Sequence, residues 1–208
     1  MGAGRRDVHT RVPMNNDLPI RILPLLVLPL LAACEGSDPT AGLGAAQWDE
    51  PPAPALVQVA ERGDLAALNT LLQHDPRPNV RDSCDWTPLM KAALNGHLAT
   101  LDRLLAAGAT VDAEDKGGYT ALMLAASNNH ADIVARLAEH GAMLDHQEST
   151  QGLTALIWSA KQGQAQAVEV LLAHGADATL KDFSGHTAAD WARESGRTDI
   201  LTLLERRG

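Results

Sequence analysis

Aromatic residues are scarce in this chain: four Trp, one Tyr and one Phe make up 3% of 208 residues, against 45% apolar residues overall. A core must therefore be built from Ala, Leu, Val and Ile, which suits stacked helices and argues against a β-sandwich or barrel. Cysteine is scarcer still, with two in the chain, so no disulfide framework organises it. The longest apolar run falls short of the roughly 18 residues that a membrane-spanning helix needs. Catalytic signatures are missing as well. There is no G-x-S-x-G, no H-E-x-x-H, no paired C-x-x-C and no phosphate-cradling glycine loop, Gly117-Gly118 being explained by a turn. Neither enzyme activity nor a cofactor is expected. The length suits one medium domain with additions.

What is present begins with Arg5, Arg6, Arg11 and Arg21 ahead of an apolar stretch, Ile22 to Ala33, that closes on Leu31-Ala32-Ala33-Cys34. Twelve residues interrupted by Pro24 and Pro29 reach roughly 18 Å as a helix, against a hydrocarbon core of about 30 Å, so residues 1–33 read as a secretory signal rather than a span. The last four resemble the lipobox of bacterial lipoproteins. That resemblance implies cleavage before Cys34, lipidation of Cys34 and exposure of the rest to the periplasm; an ordinary secreted protein with an incidental Cys34 is the other reading. Glu35 stands where Asp would imply retention in the inner membrane, so the outer membrane is favoured. Met14 is an alternative start. More than one acyl chain on Cys34 would make attachment effectively permanent, and Cys84 would be left alone, either a passive small residue or a redox-active thiol. Residues 34–53, rich in Gly, Pro, Ala and acids, read as a tether holding the folded part roughly 25 Å from its anchor.

Removal of residues 1–33 leaves 13 basic and 24 acidic residues, a formal charge of −11. Such a surface repels phosphate backbones and shows no basic stripe, so nucleic acid is not an expected partner, whereas a protein with a cationic surface is.

Self-similarity governs the rest. Thr87-Pro88-Leu89, Thr120-Ala121-Leu122, Thr154-Ala155-Leu156 and Thr187-Ala188-Ala189 open equivalent blocks whose threonines lie 33, 34 and 33 residues apart. In the same register come Ala92-Ala93, Ala125-Ala126 and Ser159-Ala160, then the leucines near 104, 137, 171 and 203, then Gly108-Ala109, Gly141-Ala142 and Gly175-Ala176. Asp82, Asp115 and Asp182 and the glycines 118, 152 and 185 recur at turn positions. The pattern resembles the ankyrin repeat, most closely in Thr87-Pro88-Leu89-Met90-Lys91-Ala92-Ala93. Departures are Asp85 for a turn glycine, one residue inserted between Gly141 and Thr154, and Met90, Met123, Ile157 and Asp190 at the family's histidine.

The resemblance implies an all-α solenoid of about five helix-turn-helix repeats with short turn hairpins and a concave binding face, near 54–81, 82–114, 115–147, 148–181 and 182–208. The first repeat lacks the Thr-Pro-Leu signature and reads as a degenerate cap; the last ends in the polar run Glu205-Arg206-Arg207-Gly208. Elementary physics agrees. Threonine is a good N-cap, Pro88 at the first helical position sacrifices no hydrogen bond, and glycine takes the left-handed cap at a helix end. Each unit buries little alone, so stacking must supply the core.

Two columns fall outside the core pattern: Trp86, Tyr119, Leu153 and His186 before each threonine, and Lys91, Leu124, Trp158 and Trp191 four residues after it. Four of the chain's six aromatics lie in them, and Phe183 adds a fifth at a turn tip. Large rings are what interfaces use for affinity. Trp86, Lys91, Tyr119, Leu124, Trp158, Lys161, Phe183, His186 and Trp191 are therefore the candidate protein-binding residues, with stacking between turns as the competing role; Gln162, Asn128 and Asn95 would supply a polar rim. The histidines recur at repeat positions, which points to turn hydrogen bonds rather than metal. A non-catalytic, monomeric interaction module is expected, either a scaffold or accessory subunit or an inhibitor that occludes a toxic or degradative enzyme.

Overall fold

A computed structural model of the chain describes residues 54–207. Residues 1–53, on which the expected signal segment, Cys34 and the expected tether fall, lie outside the described residues. Five helix pairs follow one another: α1 (Ala55–Arg62) and α2 (Leu65–His74), α3 (Pro88–Leu94) and α4 (Leu98–Ala106), α5 (Ala121–Ser127) and α6 (Ala131–Glu139), α7 (Ala155–Gln162) and α8 (Ala165–Ala173), α9 (Ala188–Glu194) and α10 (Thr198–Arg207). Among the described residues there is no strand and no helix long and apolar enough to cross a membrane.

The threonines start the first helix of each later pair. Thr87, Thr120, Thr154 and Thr187 accept through Oγ1 from the amides of Met90, Met123, Ile157 and Asp190 at 3.3, 3.4, 3.1 and 3.2 Å. Each bond satisfies one orphan donor of the first turn. The second helices α4, α6 and α8 end on Gly108, Gly141 and Gly175 in the left-handed conformation, and the next amide reaches back to Leu104, Leu137 and Leu171. The α2 helix has no such end. Asp75 there is extended and Pro76-Arg77-Pro78 follows.

Each first helix packs on the next, α1 on α3, α5, α7 and α9 in turn, and the second helices form a parallel row behind them. Small residues at the contacts let backbones approach: Ala60, Ala92, Ala93, Ala125, Ala126, Ser159, Ala160 and Ala192 have no exposed surface. Leu68, Leu101, Leu104, Ile133, Leu137, Val168, Leu171 and Ile200 fill the layer between the rows. This is a helical repeat solenoid with one continuous Ala/Leu core.

Between pairs the chain runs out to a turn tip that an acidic side chain closes. The Asp82 carboxylate accepts from the amides of Cys84 and Trp86, Asp115 from Gly117 and Tyr119, and Asp182 from Ser184 and His186, all at 2.8–2.9 Å. One backbone bond ties each tip to the previous one: Lys116 N–H to the Cys84 carbonyl, Ser149 to Gly117 and Phe183 to Gln151.

The first tip carries a strained residue. Asp85 has φ +66° where the later tips place glycine. Its neighbour across the junction, Asp115, has its pKa raised chiefly by burial and also by the charges of Asp82 and Asp85, against the pull of the Tyr119 and Gly117 amides. Asp85→Gly removes both the left-handed penalty and one of these charges. It is expected to stabilise the domain by about 0.5–1 kcal/mol, read as a higher urea midpoint at unchanged slope. Asn129, φ +60° at a position where other repeats have glycine, is compensated: its side-chain oxygen accepts from Ala167 N–H at 3.0 Å, and its amide meets Gln166 at 3.2 Å.

Candidate protein-binding face

The first of the two columns turns inward. Trp86, Tyr119 and Leu153 are 5%, 6% and 3% exposed, so the expectation that this column lies outside the core is corrected for all three. The residue before an N-cap threonine points into the junction between successive tips, where a neighbour covers it. Lys91 Nζ lies 4.6 Å from the Trp86 ring centre and 3.2 Å from Glu61, a carboxylate of the preceding repeat. The Trp158 ring tilts at 44° against Tyr119 with centres 5.1 Å apart, and the Tyr119 hydroxyl lies 3.3 Å from that of Thr150.

Leu124 is corrected likewise. It is fully buried, as α5 sits mid-row between α3 and α7 with α6 behind it, and every residue from Ala121 to Ser127 is buried.

The candidates that keep accessible surface gather in the last two repeats. Trp158, Lys161, Trp191 and His186 are half-buried, and Phe183 is 66% exposed at its tip. Lys161 Nζ stands 3.8 Å over the Trp191 ring, an attractive cation–π pair. The His186 ring centre lies 5.1 Å from that of Trp191, and the His186 ring is 3.3 Å from Glu194. Trp191 also donates its indole N–H to the buried Asp182 at 2.7 Å. Lys91, with its side chain 16% exposed, belongs to a separate contact in the N-terminal half. Asn95 and Asn128 are exposed and Gln162 half-buried, as a polar rim requires.

The electrostatics at this end follow from the tip geometry. Burial pushes the Asp182 carboxyl up, but the His186 amide, the Trp191 indole, the Ser184 amide and the His186 ring together hold it below the ordinary aspartate value. Trp191→Phe keeps the ring and deletes the donor. It is expected to cost about 1–2 kcal/mol in a thermal or urea melt and to raise the Asp182 pKa as followed by carboxyl NMR. Asp190 is drawn down to about 2 by the Thr187 amide and hydroxyl, with Arg193 adding to the effect.

Glu148, with no exposed surface, went unrecognised as a site residue. It closes the third tip in place of aspartate. The tip is one residue longer, and one extra methylene lets the carboxylate accept from the amides of Thr150, Gln151 and Leu153 at 2.6, 2.7 and 3.0 Å and from the Thr150 hydroxyl. The inserted residue and the missing aspartate were the available signals.

The histidines hold backbone. His97 and His130 reach the carbonyls of Glu61 and Leu94 in the preceding repeat at 3.0 and 3.1 Å, and Gln164 makes the same bond to Ser127. His140 and His174 bond back within their own helices, and His146 meets the Gly118 carbonyl. Among the described residues no cluster of three His, Cys, Asp or Glu could hold a metal.

Stacked helix pairs, laced tips and a face of rings and amides define a repeat-protein interaction module. Two family profiles match the chain, "Ankyrin repeats (3 copies)" over residues 56–148 and "Ankyrin repeats (many copies)" over residues 137–192. The chain belongs to the ankyrin-repeat family, whose members act through protein–protein contacts. It is also similar to a protein of Oryza sativa subsp. japonica named as a probable E3 ubiquitin-protein ligase, with 43% identity over 54 residues. That match covers 26% of this chain and 10% of the rice protein, so it lies within the repeats.

Proposed function

We propose that the chain is a non-catalytic, monomeric binding module tethered to the bacterial envelope through a lipidated Cys34, facing the periplasm as a scaffold or accessory subunit for a protein partner. The observation that carries the binding site is that Trp158, Lys161, Phe183, His186 and Trp191, all in the last two repeats, keep accessible surface, with Lys161 and His186 set against the Trp191 ring. Rigid rings held by neighbours lose little entropy on binding, which is what an interface anchor needs. The overall charge supports a partner with a cationic surface and disfavours nucleic acid. The same face would serve an inhibitor that occludes a toxic or degradative enzyme.

Capture from solubilised envelopes, read by mass spectrometry with the chain and its Trp158→Ala/Phe183→Ala variant side by side, tests the reading. A partner held by the parent and weakened at least tenfold by the variant is expected, with the helical circular dichroism unchanged; equal capture by both would remove the cluster from the interface. The partner's activity with and without the chain then separates accessory from inhibitor. Anchoring has its own test. A cysteine whose thiol carries lipid has none to give to a disulfide, so lipidation of Cys34 and a bond between the chain's two cysteines exclude one another. The intact mass of the envelope-extracted chain, before and after reduction, distinguishes the two, and a mass without acyl chains would sink the anchor.

A further inference from the structure

Two lysines among the described residues stand over tryptophan rings, and they are equipped differently. Lys91 Nζ lies 4.6 Å from the Trp86 ring centre and also meets the Glu61 carboxylate at 3.2 Å. Lys161 Nζ lies 3.8 Å from the Trp191 ring centre, and no carboxylate among the described residues pairs with it. Glu194, one turn beyond Trp191 on α9, is taken by His186 at 3.3 Å. A ring face attracts the charge of an ammonium, yet an ammonium carries three N–H donors and a ring offers them no lone pair.

A second donor stands on the same helix. Trp158 precedes Lys161 by three residues on α7, which puts the two on one face. Its ring tilts against Tyr119, while its indole N–H donates to no group among the described residues. The Trp191 indole, by contrast, is spent on Asp182. Trp158 and Lys161 are both half-buried. Donors without acceptors, one of them cationic, call for a group that only accepts and carries one negative charge. An ionised carboxylate meets both conditions. A phosphate monoester would bring a second charge that one lysine does not answer.

We infer that the face formed by α7 and α9 is a receptor for a single Asp or Glu side chain of the protein partner, bound by the Lys161 ammonium and the Trp158 indole N–H beside the Trp191 ring. This rests on the reading of these residues as part of the binding face, and it specifies what that face takes. A chain-terminal carboxylate is captured by converging backbone amides, which the side of a helix does not present because its amides bond within the helix. The ring holds the lysine in place before the ligand arrives, so less freedom is lost on binding. The chain's excess of acidic over basic residues repels small free anions. The carboxylate therefore has to arrive on a surface that is otherwise cationic.

The test uses the full chain in mild detergent with isotope-labelled tryptophan, titrated with two capped pentapeptides, Lys-Leu-Glu-Leu-Lys and Lys-Leu-Gln-Leu-Lys. The indole N–H signals are followed by NMR and assigned with Trp158→Phe and Trp191→Phe. The expected result is a saturable shift of both signals, about tenfold tighter for the glutamate peptide although the glutamine peptide has the larger positive charge. Lys161→Met, which keeps a long apolar stem against the ring, should erase that preference, and Lys161→Arg, which restores the charge, should recover it. Both variants should melt within a few degrees of the parent. A preference that survives Lys161→Met places the carboxylate elsewhere and overturns the inference. Equal shifts by the two peptides, or none from either, overturn it as well. Loss of capture in the Trp158→Ala/Phe183→Ala variant would then leave the binding face standing without this chemistry, whereas unchanged capture there would remove the face itself.

Discussion

Glu148→Ala is expected to lower the stability of the domain by about 3 kcal/mol, an effect large for a residue in a turn. Three amides and a hydroxyl converge on its carboxylate, which has no exposed surface. Removing the acceptor leaves the Leu153 amide buried without a partner, and each bond to a charged group is worth more than a neutral one. The pH dependence has a definite sign. Burial raises the Glu148 pKa, but the Thr150 hydroxyl and the amides of Leu153, Thr150 and Gln151 outweigh it, so the folded value lies below the ordinary 4.5. Its contribution is therefore complete above about 4.5 and fades as pH falls through the lower folded value. Urea melts of parent and Glu148→Gln between pH 7 and pH 3 check this: the parent should lose more stability on acidification than the variant. Parallel curves would mean that the carboxylate is not held as described.

Leu124→Ala should cost 2–5 kcal/mol, the range for deleting a fully buried leucine from a packed core. Because α5 sits mid-row, the cavity weakens both of its junctions, and the melt should broaden as the halves of the stack uncouple. Phe183→Ala, at a side chain 66% exposed, is the control and should change stability by less than 1 kcal/mol. A small loss at Leu124 with weakened partner capture would return that residue to the surface.

The period of 33 residues made the helices, their threonine caps and the Ala/Leu core legible in the sequence, because each depends on residues close along the chain. Depth was legible only in part. Register places Trp86 and Tyr119 beside a turn but cannot say what covers them, and the cover comes from long side chains elsewhere: Lys91 over Trp86, and Trp158 of the next repeat over Tyr119. Leu124 misled for a related reason. Its column holds lysine and tryptophan in other repeats, and those side chains are long enough to reach the surface while leucine is not. At the third tip, the loss of aspartate and the gain of a residue were each visible, but that a longer acid answers a longer loop depends on where the folded tip brings the Thr150, Gln151 and Leu153 amides.

The joints between repeats also bear on how such a chain changes length. At successive junctions the same bonds recur one repeat later: a tip amide to the previous tip, a His or Gln side chain to the end of the previous first helix, and the side chains of Asn79, Asp112 and Asp145 to the amides of Thr110, Met143 and Asp177 in the next unit. Donor and acceptor thus sit on opposite sides of each of the three central units, like the two halves of a coupling. A whole unit removed between equivalent positions leaves ends that still match, whereas a cut of any other size leaves them out of phase. The domain can therefore gain or lose reach in whole steps, by duplication or excision, without a new kind of contact having to arise.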